Sequence, residues 1–433
     1  MKRKLLLLLS VLLLAALFSA CSGEQAETTS PPTPQTVSPA PEDTDPLQDT
    51  PAPEPPDEPT PSDTAPEPSG PKYEPIYISE GDMPPLEAWN EPINALMARD
   101  FFPDEESFLH FDNKVFWAKE MFDPADLAAL RYESYMVFEG SEEQAEELME
   151  AAKNPGLGVR SLHEQGITGQ GVNVAIIDQN LLLDHPEYAG NVAAYYDSGC
   201  EQPEDWGSSH APAVLSLLAG QTVGTAPGAK VWFAAAPSWE ADAAYDADCL
   251  NWIIEQNRAL PEGEKIRVVS VSGAFDGWEN AGQWTEAVAA AEAEGILVLD
   301  ASENNEEGPV IGPAFGDPDD PEDVTKYRCG YPHADTDYSG ERCARTVFAP
   351  CSYRTTAQEY AAGIYIYTYW AEAGVSWSIP YAAGVLALGW QVNPELDAQT
   401  MMDLLLQSAY VNEEGCHIID PPAFIELVRA TAA

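Results

Sequence analysis

Val172-Asn173-Val174-Ala175-Ile176-Ile177 is a short apolar run rich in β-branched residues, and it ends on a carboxylate, Asp178. Three more runs of the same kind follow, over 231–235, 268–271 and 296–299. Runs of this length and composition read as strands buried on both faces. Between the last two, Trp284, Ala287, Val288 and Ala291 recur at helical spacing, and Gly295 follows where a helix C-cap belongs. Strand-like runs alternating with helical patterns predict an α/β fold, a doubly wound, mostly parallel sheet with helices on both faces. In that architecture functional groups sit just past the carboxyl ends of the strands, which is where Asp178 falls.

Upstream of this unit the composition changes. The chain opens with Lys2, Arg3 and Lys4, then an apolar run over 5–18 interrupted by Ser10, then Ser19, Ala20 and Cys21. A basic start, an apolar stretch too short to span a bilayer and a small-residue exit make a signal peptide, so the protein is expected outside the cytoplasm. Small residues directly before a cysteine resemble the lipobox of bacterial lipoproteins, apart from Phe18, where an aliphatic residue is usual. That resemblance implies a lipid on Cys21 and a place on the outer face of the cell membrane. Residues 22–75 are dominated by Pro, Thr, Ser, Glu and Asp and cannot bury a core. They are expected to form a stretched, disordered spacer. The expected organisation is thus a signal peptide over 1–20, the lipidated cysteine and linker over 21–75, a small N-terminal accessory or pro-region over 76–155, and the main folded domain over 156–433.

The 433 residues carry 20 Lys and Arg against 72 Asp and Glu, a formal net charge of −52. Binding to nucleic acid or to an anionic membrane surface depends on Lys and Arg displacing counterions, so neither is expected as a partner. Beyond Cys21 there are six cysteines, Cys200, Cys249, Cys329, Cys343, Cys351 and Cys416, which permit disulfides in an exported chain but do not specify a pairing. Within 76–155, helical patterns run near 85–97 and over 141–153. In the second, Ser141 and Gln144 form a capping-box pattern and Ala145, Leu148, Met149 and Ala152 share one face. A strand-like run over 135–138 precedes it.

Two further residues join Asp178. His210 lies in Trp206-Gly207-Ser208-Ser209-His210-Ala211-Pro212, where a serine can cap a helix and Pro212 fits only its first turn. Ser376 lies in Gly374-Val375-Ser376-Trp377-Ser378-Ile379-Pro380, opening an apolar helical run at an end that favours negative charge. Each residue alone has an ordinary structural use as a turn or cap. Together they give the order Asp, His, Ser, one of the chain orders in which a serine-hydrolase triad occurs.

The flanking words carry a family resemblance. Gly166-Ile167-Thr168-Gly169-Gln170-Gly171 before the first strand, Asp184-His185-Pro186 after it, and Gly224-Thr225-Ala226-Pro227-Gly228-Ala229-Lys230 all resemble subtilisin-like serine proteases, over roughly 156–410. The resemblance implies a subtilisin-like fold and an endopeptidase acting on a peptide or protein substrate. Ser376 would be the nucleophile, His210 the base, Asp178 its orienting acid and Asn304 the oxyanion donor, with Asn305 the alternative if one residue is inserted. It requires no cofactor, and structural calcium enters through family habit alone. The loop Asp335-Thr336-Asp337-Tyr338-Ser339-Gly340 starts like a calcium loop but lacks its closing glutamate, and the acidic run over 317–323 reads as a solvated turn. The motif frames depart from the family's. Its DTG becomes Asp178-Gln179-Asn180, and its GTSMASP becomes Gly374-Val375-Ser376-Trp377-Ser378-Ile379-Pro380, with the bulky Trp377 narrowing the site. A subtilisin-fold binding module that has lost turnover is the competing reading.

Overall fold

The structure, a computed structural model, describes residues 76–78, 127–128, 131–138, 140–200, 206–301, 310–330, 340–359 and 361–431. The signal peptide, Cys21, the linker, the helical pattern near 85–97, Asn304, Asn305 and most of the loop over 335–340 lie outside them. All the described residues belong to one compact unit, Pro66–Ala433.

The N-terminal part supplies strands β1 (Ile76–Ile78), β2 (Arg131–Glu133) and β3 (Met136–Phe138) and helix α1 (Glu142–Ala151). Ala145, Met149 and Ala152 are buried, as their spacing predicts. The capping box does not form. Ser141 stands at the N-cap without a side-chain bond to the helix, and its N–H donates to the Phe138 carbonyl, closing a turn from β3.

After the short helix α2 (Val159–Glu164) come β4 (Asn173–Asp178), β5 (Val192–Asp197), α3 (His210–Ala219), β6 (Lys230–Ala235), α4 (Ala243–Ala259), β7 (Ile266–Val271), α5 (Ala281–Ala293) and β8 (Leu297–Leu299). The four expected runs are β4, β6, β7 and β8. Together with β5 they form a parallel five-stranded sheet in the order β5-β6-β4-β7-β8, with β4 at its centre. Val174 to Ile177 are buried on both faces, which is why β4 is apolar without alternation. Val174 and Ile176 pack with α3 residues such as Leu215. Ala175 and Ile177 pack on the other side with Leu250 and Ile253 of α4 and Trp284 of α5. Gly295 closes α5 at φ +77°, the left-handed turn its position predicts.

The second half comprises β9 (Val310–Phe315), β10 (Arg328–Cys329), α6 (Gly340–Arg345), β11 (Thr346–Pro350), β12 (Arg354–Gln358), β13 (Ile366–Trp370), α7 (Val375–Val392), α8 (Ala398–Ser408), β14 (Tyr410–Val411), β15 (His417–Ile418) and α9 (Pro421–Thr431). A second sheet runs β10-β9-β11-β15-β14. A third, β12-β13-β2, is antiparallel and takes its edge strand from the N-terminal part. Every residue of α7 from Trp377 to Trp390 is buried, so this helix is the axis of the molecule rather than an amphipathic surface element. Cys329 and Cys416 form a disulfide, while Cys200, Cys249, Cys343 and Cys351 are buried thiols. The acidic run over 317–323 closes on Lys326, whose Nζ lies 3.1 Å from both Asp317 and Asp320. Among the described residues no helix is long and apolar enough to cross a membrane.

Candidate active site

Register builds the site. Asp178 pairs with Ala235 of β6 and Ile177 with Val271 of β7, so the central strands end level and Asp178, Ala236 and Ser272 emerge at one carboxyl edge. The Asp178 side chain is 3% exposed, and its Oδ1 accepts the Gln179 N–H at 2.8 Å. That fixes the carboxylate as it leaves the strand.

His210 is brought to this edge by the loop before α3. The Ser208 hydroxyl accepts the N–H groups of His210 and Ala211 at 3.2 and 2.9 Å, the expected serine cap. Asn180 ties that loop to β4: its carbonyl accepts the Ser208 N–H at 3.0 Å, and its side-chain amide donates to the Trp206 carbonyl at 2.8 Å. The unusual Asp178-Gln179-Asn180 frame is therefore a strap holding the histidine loop. His210 Nδ1 lies 2.8 Å from Asp178 Oδ1 and 3.0 Å from Oδ2. Donation from Nδ1 leaves Nε2 with the free lone pair. Burial, the largest influence, lowers the imidazole pKa, but the charge and hydrogen bond of Asp178 outweigh it and leave the pKa raised.

Ser376 sits in the first turn of α7, after an N-cap at Gly374. Pro380 lies four residues on and has no N–H, so it leaves the Ser376 carbonyl without its helical donor. Ser272, just past β7, supplies the replacement, its hydroxyl donating to that carbonyl at 2.8 Å. The Ser376 hydroxyl donates to the Ser272 carbonyl at 3.5 Å, and no hydrogen bond joins it to His210. Two serines at the ends of different elements thus lock the Ser376 backbone beside the sheet edge. Sequence reading missed this role of Ser272; the signal was a helix proline four residues after the candidate serine.

Trp377 packs against the histidine. Its ring is 5% exposed and meets the His210 ring edge-on at 5.4 Å and 71°. Behind it Trp370 of β13 packs at 4.9 Å, and the Arg131 guanidinium of β2 lies over Trp370 at 3.5 Å. The imidazole is held between a carboxylate and a stack of side chains reaching back to the N-terminal segment. Of the sequence-derived residues, the structure brings Asp178 and His210 into hydrogen-bonding contact and lines the same edge with Ser376 through Ser272.

Residues 169–420 match the sequence profile of the subtilase family, more than half of the chain. Fervidolysin from Fervidobacterium pennivorans, a keratinolytic enzyme related to subtilisin, is similar in structure with 20% identity and a TM-score of 0.47, over 64% of this chain and 45% of fervidolysin. The present chain therefore spans under half of that protein's length. The prenylagaramide maturation protease PagA (17% identity, TM-score 0.47) matches over 63% of this chain and 98% of its own. The PatG macrocyclase, solved in complex with peptide, does so at 15% identity and TM-score 0.47, over 63% and 96%. Among curated proteins no match is found. A parallel sheet with an aspartate closing its central strand, a histidine helix docked on it and a buried central helix opened by a serine agree with the profile match: the chain belongs to the subtilase family.

Proposed function

We propose that the protein is an exported, lipid-anchored serine endopeptidase that cleaves peptide bonds through an acyl-enzyme. Ser376 attacks the carbonyl, His210 takes the proton and later returns it to the leaving amine, and Asp178 orients the imidazole. The first-turn N–H groups of α7 and the Asn304 amide stabilise the oxyanion. The observation that carries this reading is the 2.8 Å contact between Asp178 and His210 Nδ1 at the carboxyl edge of the sheet. It fixes the tautomer in which Nε2 accepts a proton. The looser placement of the Ser376 hydroxyl is compatible with turnover, because catalytic hydrogen bonds tighten when substrate arrives.

The second reading, a binding module without turnover, draws on that hydroxyl, which faces Ser272 rather than the imidazole. A serine-directed fluorophosphonate separates the two on the purified full chain. Covalent labelling of the wild type and none of Ser376→Ala supports the protease. Absence of labelling on folded wild type sinks it. The anchor at Cys21 is part of the same proposal, supported by the signal-peptide and lipobox pattern, and mass spectrometry of the mature N-terminus tests it. The region over 76–155 is proposed as an accessory segment that stays on the body, because β2 hydrogen-bonds along β13. N-terminal sequencing of membrane-bound and shed forms would show a cut near Pro155 if it is instead a removable pro-region.

A further inference from the structure

A cleft of about 260 Å³ opens beside the Asp178–His210 pair, between the ends of β4, β6 and β7 and the first turn of α4. At ~30 Å³ per water it holds roughly eight or nine water volumes, the scale of one long side chain. Its wall includes Phe275 and Trp278, whose rings pack edge to face at 5.3 Å. Asp246 also lines it. The Asp246 side chain belongs to the first turn of α4 and is 6% exposed.

A carboxyl group there needs a reason. Asp242, one turn earlier, has a structural use: it caps α4 through the Ala244 N–H at 3.0 Å and accepts from Asn280 at 2.8 Å. Asp246 has none of these partners. Among the described residues its own backbone N–H is the donor that reaches it, and no Lys or Arg pairs with it. Burying a carboxylate without a partner is costly, so the missing partner belongs to whatever fills the cleft. An apolar side chain would leave the acid unpaired. A cation on an apolar stem satisfies both parts of the site, with aromatic rings for the stem and its charge and a carboxylate for the head.

We propose that this cleft is a specificity subsite for a Lys or Arg side chain of the substrate, with Asp246 as the ligand of its charge and Phe275 and Trp278 as its wall. The inference rests on the endopeptidase reading and names its substrate class. The net charge of −52 works in the same direction, by drawing cationic peptides to the protein. The groups facing Asp246 from the packed elements are Asp178 on β4, Asp242 at the start of its own helix and the buried thiols of Cys249 on that helix and Cys200 after β5, with His210 across the cleft. Burial, chiefly, and the two aspartates hold the Asp246 pKa up to about 7, so the empty cleft holds a neutral acid below that pH and a carboxylate above it.

The test uses internally quenched hexapeptides in which one position at a time is Arg or its neutral isostere citrulline. At pH 8 the wild type should favour Arg over citrulline by about tenfold or more in kcat/KM at one position, the worth of a charge-assisted hydrogen bond. In Asp246→Asn that ratio should collapse to about one, and in the wild type it should shrink as pH falls from 8 to 6. The same paired peptides are titrated calorimetrically into Ser376→Ala, where preference for Arg is read without turnover. Asp246→Ala, with melting curves on all variants, guards against a misfolded single variant. Equal handling of Arg and citrulline at every position, or a preference that survives in folded Asp246→Asn and Asp246→Ala, overturns the proposal. A wild type that resists fluorophosphonate but binds Arg peptides through Asp246 would remove the endopeptidase reading and leave the subsite standing.

Discussion

The parallel sheet that presents Asp178 and the antiparallel sheet β12-β13-β2 behind Trp377 are built by opposite means. In the first, the central strands are contiguous apolar runs, and burial on both faces is provided by packed helices, α4 and α5 on one side and α3 and α7 on the other. In the second, β12 is Arg354-Thr355-Thr356-Ala357-Gln358, and all five residues are buried. Several of their polar groups are met one by one, although Arg354 Nε and Nη1 and Gln358 Oε1 are buried without a hydrogen-bond partner among the described residues. Arg354 donates to the Val223 carbonyl at 2.9 Å, the Thr355 hydroxyl to the Met149 carbonyl at 2.7 Å, and the Trp370 indole to the Thr356 hydroxyl at 2.9 Å. The Ala357 N–H donates to the Ser216 hydroxyl at 3.0 Å. Burial pushes the Arg354 guanidinium down to about 10, a sign of how dry that strand is. One sheet is specified by hydrophobicity and tolerates apolar exchange. The other is specified by matched donors and acceptors from four parts of the chain and tolerates little.

The largest effect should come from the parallel side. Asp178→Asn removes the charge and reverses the hydrogen bond that fixes His210, and turnover should fall by about 10⁴-fold with little change in melting temperature. The pH profile sharpens this. His210 must be neutral to act as a base, and Asp178 raises its pKa, so wild-type kcat/KM falls as pH drops through that raised value. In Asp178→Asn the residual activity should lose its midpoint at lower pH. A midpoint that does not move would mean that Asp178 does not set the charge of the histidine.

Trp370→Ala probes the other sheet. It deletes a large ring wedged between Arg131 and Trp377, and a loss of about 3 kcal/mol is expected on unfolding. If the stack also positions the imidazole, kcat should fall about tenfold while KM stays near its wild-type value. Lost stability with unchanged kcat would show that the antiparallel sheet supports the fold but not the site.

Legibility followed the same division. β4, β6, β7 and β8, helix α5 and its Gly295 cap could be read because each is a local pattern. Asp178, His210 and Ser376 could be read because chain order and flanking words supplement three weak signals. β12 could not, since Arg-Thr-Thr-Ala-Gln has neither apolar run nor alternation, and its reasons for burial lie at Met149, Ser216 and Val223. Asp246 was equally hidden, an aspartate in a helix first turn whose only distinguishing property is the cleft beside it. The Ser141 box failed for a related reason: the turn from β3 claimed the N–H that the box requires.

A pair of acids, Glu359 buried and Asp184 exposed, offers a smaller contrast between the two sheets. Glu359, just past β12, is fully buried; burial and the neighbouring Asp184 hold its pKa up to about 8, and the Tyr188 hydroxyl donates to its Oε2 at 3.2 Å. An acid whose folded pKa is raised stays protonated in the fold while the unfolded chain ionises. Stability is therefore lost as pH rises from the ordinary carboxyl range to about 8 and levels off above it. Glu359→Gln should flatten this decline, melting a few degrees above wild type at pH 9 and close to it at pH 5. A wild type whose melting temperature holds constant from pH 5 to 9 would show that the pair finds a counter-charge.

The smallest effect tests whether the sheets communicate. Arg131 is the outermost member of the stack, its guanidinium 3.5 Å from the Trp370 ring centre. A cation over an indole contributes about 0.5–1 kcal/mol at a partly exposed site, so the loss of this contact in Arg131→Ala should lower stability by about that much. Its effect on His210 passes through two edge-on aromatic contacts, and each can absorb part of the movement. The expected change in kcat is therefore about twofold. Arg131→Lys keeps the charge but loses the flat stacking surface, and it separates the two contributions. If Lys restores stability but not kcat, the planar stack holds the histidine. If it restores both, the charge alone matters, and β2 acts on the site only by completing the sheet.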